Sequence, residues 1–175
     1  MSERTIAGYL AEDHTRLHGL LDRAMALPHL DLEAFAAFRC GLLRHIAIEE
    51  KVLFLAVRKA RGGQPFDRAH EVRIDHAALT SLLVPTPDLA LCGEILSLLS
   101  THDAKEEAIG GMYEECEHWL IDEELILLAK RAASFPEVCV ARHFDGPNVH
   151  RTAESALASA RRLRAPKKTA IVDAP

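Results

Sequence analysis

The sequence predicts an all-α protein, and three observations carry that prediction. Apolar residues make up 49% of the 175-residue chain, enough for one core that folds unaided. The composition is rich in Ala, Leu, Glu and Arg, all good helix formers, while aromatic residues are only 5%. The sequence also lacks the long Val/Ile/Thr alternation that marks strands. Its apolar residues instead recur at helical spacing between breaks that carry proline or glycine.

Taken in order, residues 2–27 form the first predicted helix. Ile6, Leu10, His14, Leu17 and Leu21 fall on one stripe, Ser2 or Thr5 is the cap, and Pro28 is the stop. The second helix starts after Asp31 and runs to about Arg61, with Phe35, Phe38, Leu42, His45, Glu49 and Val52 on its inner face. A Gly62-Gly63-Gln64-Pro65 loop ends it. The third opens after Phe66-Asp67 and reaches Leu83 or Val84, with Val72, His76, Leu79 and Leu83 in line. Pro85-Thr86-Pro87 is a tight connection, in which Thr86 caps the fourth helix and Pro87 takes its first position. That helix carries Leu91, Ile95, Leu98, His102, Glu106 and Ile109, and Gly110-Gly111 ends or kinks it.

Four amphipathic helices joined by short loops predict an up-down-up-down four-helix bundle. A further helical stretch over residues 113–133 completes a bundle domain of residues 1–133. Residues 134–175 are expected to be a C-terminal loop, a short helix over about 149–163 and a mobile tail. Residues 117–164 have three available roles: packing on the bundle, closing a site, or forming a homodimer surface.

Net charge is −5, which argues against nucleic acid and anionic membranes as partners, since both need a basic face. The group Arg161, Arg162, Arg164, Lys167 and Lys168 reads as a solvated helix end and tail. No apolar run reaches the length of a membrane span, and the N-terminus has no signal-peptide pattern. Cys40, Cys92, Cys116 and Cys139 form no C-x-x-C and read as reduced thiols, mostly small core residues. A cytoplasmic location follows from this usage.

The informative feature is a repeat. Residues 13–21, DHTRLHGLL, and residues 75–83, DHAALTSLL, share the pattern D-H-x-x-L-x-x-L-L. Each is followed by H-x-x-x-E-E: His45, Glu49 and Glu50, then His102, Glu106 and Glu107. A histidine and a glutamate four residues apart lie on one face of a helix. His45 lies 14 residues beyond Asp31, and His102 lies 14 beyond Asp88. Both therefore sit roughly 21 Å from their helix starts, at matching depth in a bundle. Given ten histidines, a chance H-x-x-x-E-E is expected roughly 0.1 times, and this chain has two.

Neutral imidazole with carboxylate and no thiolate suits iron or manganese more than structural zinc. Glu49 and Glu106 can each bridge two metals, with His14 and His45 on one and His76 and His102 on the other. Together with a bridging oxo or hydroxo group this gives roughly five ligands per metal and leaves a position for a small molecule.

The pattern DH…H-x-x-x-EE…DH…H-x-x-x-EE over roughly residues 8–115 resembles the hemerythrin-like HHE cation-binding family. The resemblance implies a four-helix bundle with two non-haem iron ions, held by His14, His45, Glu49, His76, His102 and Glu106. Manganese or zinc is an alternative occupant on isolation. This chain departs from the oxygen-carrying hemerythrins at Val72, where they carry a histidine, and at Glu106, where they tend to use aspartate. Those departures point away from reversible O₂ carriage but leave metal binding intact. His18 and His118 are the candidates for a substitute ligand.

The remaining polar residues have plainer readings. Glu50 and Glu107 turn about 100° from the ligand face and read as solvated or supporting. Asp13 and Asp75 read as outer-face charges, with orientation of an imidazole as the alternative. His29, His70, His143 and His150 read as surface residues. Two function classes follow from the resemblance: a module that binds or senses O₂ or nitric oxide or holds iron, and an enzyme acting on peroxide or nitric oxide or supplying iron for iron–sulphur repair. The sequence leaves open whether the chain is an enzyme.

Overall fold

The computed structural model describes residues 4–165, and Ser2 and the tail beyond residue 165 lie outside the described residues. Within them the protein is all-helical, with no strand. Helix α1 spans Ile6–Met25. Thr5 caps it by accepting from the Gly8 amide at 3.3 Å, which satisfies one of the free N–H groups of the first turn. Ile6, Leu10, His14, Leu17, Leu21 and Ala24 are buried along the predicted stripe, and Asp13 is buried beside it.

Asp31 caps α2, Leu32–Ile48, by accepting from the amides of Glu33 and Ala34. The predicted second helix is not uniform. Its middle is a π-helical stretch, Glu49–Leu53, which passes into α3, Phe54–Ala60. The wider turn begins at Glu49, a fully buried carboxylate, and such turns often accompany functional residues. Helix α4 spans Ala69–Leu82.

Helix α5 spans Leu89–Glu107 and its cap is Asp88, whose carboxylate accepts from the Leu91 amide at 2.8 Å. The expectation of Thr86 as cap and Pro87 in the first turn is therefore corrected. Thr86 is held elsewhere, by the Asp145 carboxylate, through its amide at 2.9 Å and its hydroxyl at 2.5 Å. Ile109 also departs from expectation and is fully exposed. The reason is that α5 stops at Glu107 and the chain turns extended at Ala108.

The predicted stretch 113–133 is two helices, α6 (Met112–Glu117) and α7 (Asp122–Ala133). The break is explained by the acidic triplet Asp122-Glu123-Glu124, which forms the first turn of α7, where negative charge favours a helix start. Helix α8, Ala153–Arg164, is capped by Thr152 and begins four residues later than the expected start at residue 149. Its small buried faces, Ala156 and Ala160, allow close approach, and α8 packs on α4 and α5. Helix α1 packs on α2, α5 and α7.

The apolar core falls into two clusters. One contains Leu17, Leu42, Leu79 and Leu99, and the other Leu10, Val52, Val72 and Met112. On each long helix a buried histidine separates them: His14 follows Leu10, His45 follows Leu42, His76 follows Val72 and His102 follows Leu99. The polar layer is thus enclosed between two apolar ones. Of the cysteines, Cys92 and Cys116 are buried, whereas Cys40 and Cys139 are exposed. No helix among the described residues is long and apolar enough to cross a membrane.

Candidate metal centre

The structure brings all six predicted ligand residues together. One group is His14, His45, Glu49 and Glu106, and the other is Glu49, His76, His102 and Glu106, each with one ligand atom per residue and all within 4.8 Å of one another. The two carboxylates are common to both groups. Glu49 turns Oε1 to His45 Nε2 at 3.5 Å and Oε2 to His76 Nε2 at 3.0 Å. Glu106 turns Oε2 to His14 Nε2 at 3.4 Å and Oε1 to His102 Nε2 at 3.2 Å. Each carboxylate therefore spans two pairs of imidazoles, the placement a bridging carboxylate needs.

The four imidazoles share one orientation, with Nε2 inward and Nδ1 outward toward a carboxylate. His14 Nδ1 lies 2.5 Å from Glu107, His45 Nδ1 3.0 Å from Asp13 and His76 Nδ1 3.0 Å from Glu50. His102 Nδ1 faces Asp75 at 3.6 Å, an ion-pair distance rather than a hydrogen bond. An outward Nδ1–H fixes the tautomer and leaves the inward Nε2 lone pair free for a cation.

Asp13 and Asp75 are thus corrected from outer-face charges to buried residues that face imidazoles. They are themselves tied to cations, Asp13 to Arg16 Nε and Asp75 to Lys105 Nζ, both at 2.7 Å. Glu50 and Glu107 are the supporting residues of their two histidines. The pattern crosses the repeat: each aspartate serves the histidine of its own half, and each second glutamate serves the histidine of the other. The presence of D-H and E-E in both copies was the available signal.

Inside the layer, His45 Nε2, Glu49 Oε2, His76 Nε2, His102 Nε2 and Glu106 Oε1 are buried and accept or donate no hydrogen bond. Burying one such group unsatisfied costs roughly 1–3 kcal/mol, and native interiors rarely hold several in one place. Lone pairs converging on a shared space fit a cation of the kind imidazole and carboxylate prefer. Without one, protons fill the role. Burial disfavours the His45 imidazolium, but the Glu49 charge beside it and the Asp13 carboxylate that accepts from it lift its pKa to about 10. His76 is likewise raised against its burial by Glu106, Glu49 and Glu50. Burial pushes the Glu49 carboxyl up, yet His45 and His76 hold it well below the usual carboxylate range.

Tyr113 is a site residue that the sequence did not reveal. Its hydroxyl donates to Glu49 Oε1 at 2.8 Å and lies 3.3 Å from Glu106 Oε2 and 3.4 Å from His14 Nε2. It stands at the start of α6, just after the Gly110-Gly111 turn that follows the end of α5 at Glu107. His18 and His118 join neither group. His118 is exposed and packs edge-on against Trp119, while His18 pairs with Asp103 at 2.7 Å beside the site. Compared with protein-family models, curated proteins and solved structures, the chain gives no match.

Proposed function

We propose that this chain is a hemerythrin-like binuclear metal protein whose resident ions are two non-haem irons. In this reading α1, α2 with its continuation α3, α4 and α5 form the up-down-up-down bundle. His14 and His45 hold one ion, His76 and His102 the other, and Glu49 and Glu106 bridge them. The observation that carries the reading is the set of buried, unpartnered imidazole nitrogens and carboxylate oxygens that face one another in the layer between the two core clusters.

Two irons would supply a site for a diatomic ligand and for one-electron chemistry. The chain's own residues set the frame: Glu107, Asp13, Glu50 and Asp75 orient the imidazoles, and the Tyr113 hydroxyl donates a hydrogen bond to Glu49 in the metal-free protein. We read the function as binding or sensing O₂ or nitric oxide, or holding iron. Anaerobic purification with metal quantification tests this, followed by titration with O₂, nitric oxide and peroxide. Two irons per chain and bands that respond reversibly to O₂ or nitric oxide are expected. Catalytic loss of peroxide would place the chain among enzymes instead. A colourless protein without iron or manganese, unchanged by His45→Ala and His102→Ala, would overturn the metal reading.

A further inference from the structure

The repeat places two surface clefts at equivalent positions, one outside each half of the site. The first, of about 500 Å³, lies between α1 and α5 outside His14. The second, of about 490 Å³, lies between α2 and α4 outside His76. Aligning the two motif copies matches their walls: His14 with His76 and Glu107 with Glu50, which the repeat retains. Five other aligned wall positions differ. Thr15 is matched by Ala77 and Gly19 by Ser81, and three of the five change a charged or imidazole side chain. In those three, His18 is matched by Thr80, Asp22 by Val84, and Asp103 by Ile46.

Those three differences make the first cleft the one for cations. Its wall carries His18, Asp22, Asp103 and Glu107, whereas the second keeps Glu50 as its one carboxylate and sets Lys51 and Arg164 beside it, among Ile46, Val84 and other uncharged side chains. Two of the three departures touch: His18 Nε2 lies 2.7 Å from Asp103 Oδ2. The side chain of His18 is 29% exposed and that of Asp103 10%, so the pair runs from the rim inward. The other oxygen of the same carboxylate, Asp103 Oδ1, is buried without a hydrogen-bond partner. It points at His14 Nε2, 3.5 Å away, which is a ligand atom of the first group.

We infer that the His14-side cleft is the uptake portal for divalent cations, with His18 and Asp103 as transfer ligands between solvent and the centre. This rests on the metal-binding reading of the centre itself. A cation captured at the acidic rim binds His18 Nε2 and Asp103 Oδ2, then passes to Asp103 Oδ1 and on to His14 Nε2. The second cleft repels cations with Lys51 and Arg164 and offers Ile46 where a carboxylate would be needed. Uptake is therefore one-sided in a site that is otherwise two-fold.

The test is the rate at which the metal-free full chain takes up Co²⁺ under anaerobic conditions, followed by its visible bands, with the final Co²⁺ content quantified. In Asp103→Asn and His18→Thr the rate is expected to fall about 10-fold or more, the scale of electrostatic capture by a charged cleft, with the final content unchanged. Thr80→Ala, in the second cleft, is expected to load at the wild-type rate. Wild-type rates in both first-cleft variants would overturn the portal, as would equal slowing by Thr80→Ala. A lower final content in natively folded Asp103→Asn would also overturn it, by making Asp103 a resident ligand. Should Asp103→Asn fail to fold, His18→Thr on the rim decides the matter. A wild-type chain that takes up no Co²⁺ overturns the metal reading and the portal with it, whereas wild-type loading with unslowed first-cleft variants overturns the portal alone.

Discussion

Asp13 precedes His14 in sequence yet serves His45, whose Nδ1 lies 3.0 Å from its carboxylate on the neighbouring helix. Its second oxygen accepts from Arg16 at 2.7 Å, so guanidinium, carboxylate and imidazole form a line that ends at the centre. Asp75, Lys105 and His102 repeat the arrangement in the other half. Removing such a partner typically costs about 10–100-fold in metal affinity. Asp13→Asn is expected to show that loss in a competition titration with a chelator, with helical circular dichroism retained. Affinity equal to the wild type would mean that the bond does not orient His45 for binding.

Tyr113 supplies the donor for Glu49, and its phenol has little reason to lose its proton. Burial, with the Glu49 and Glu106 charges, drives its pKa well above the usual value. Tyr113→Phe keeps the packing but leaves Glu49 short of one hydrogen bond in a place water does not reach. A bond to a charged group contributes about 1.5–3 kcal/mol. The metal-free variant is expected to lose that much in urea unfolding. A loss below about 0.5 kcal/mol would show that the surrounding histidines alone satisfy Glu49.

The two glycines of the α5–α6 turn have different physical reasons. Gly110 has φ of 71°, and a Cβ there would meet open space. Gly111 has an ordinary φ of −75°, but a Cβ would lie 2.5 Å from the Ala108 carbonyl and 2.6 Å from that of Glu106. Gly110→Ala is therefore expected to cost about 1 kcal/mol through backbone strain alone. Gly111→Ala forces backbone to move, at about 1–3 kcal/mol, and shifts Tyr113 two residues on. The discriminating measurement is Co²⁺ affinity, expected to fall in Gly111→Ala and to hold in Gly110→Ala.

The inward stripes were legible because 3.6-residue periodicity and burial select the same residues: Leu10, His14, Leu17 and Leu21 on one helix, Leu42, His45 and Glu49 on the next. What lies between helices was not. Asp13 sits about 100° from His14 on its own helix, so a single-helix reading sends it outward, yet α2 packs on that side and buries it. The π-helical turn at Glu49 has no residue signature, since it depends on a wider hydrogen-bond register. Tyr113 was hidden because a glycine turn resets the helical phase, and no periodic argument crosses it. Thr86 reads locally as the cap, but its contact with Asp145, distant in sequence, holds it elsewhere and Asp88 caps the helix instead.

Proton competition gives the centre a pH dependence with a definite sign. In the metal-free protein the His45 pKa is raised from 6.5 to about 10. Its contribution is fully present below pH 6.5 and is lost as pH rises through about 10. Asp13 is lowered from 3.8 to about 2, where His45 and Arg16 outweigh its burial. Its contribution is present above pH 3.8 and is lost as pH falls through about 2. The metal-free chain is thus expected to be most stable between roughly pH 4 and 6.5, with Tm falling as pH rises toward 10. A bound cation replaces the imidazole protons, so the Tm gained on adding Co²⁺ should grow between pH 6 and 8.5, roughly the range over which proton competition eases. A metal-free chain as stable at pH 9.5 as at pH 6 would mean that protons do not hold the cluster together. A Tm gain independent of pH would mean that the metal does not displace them.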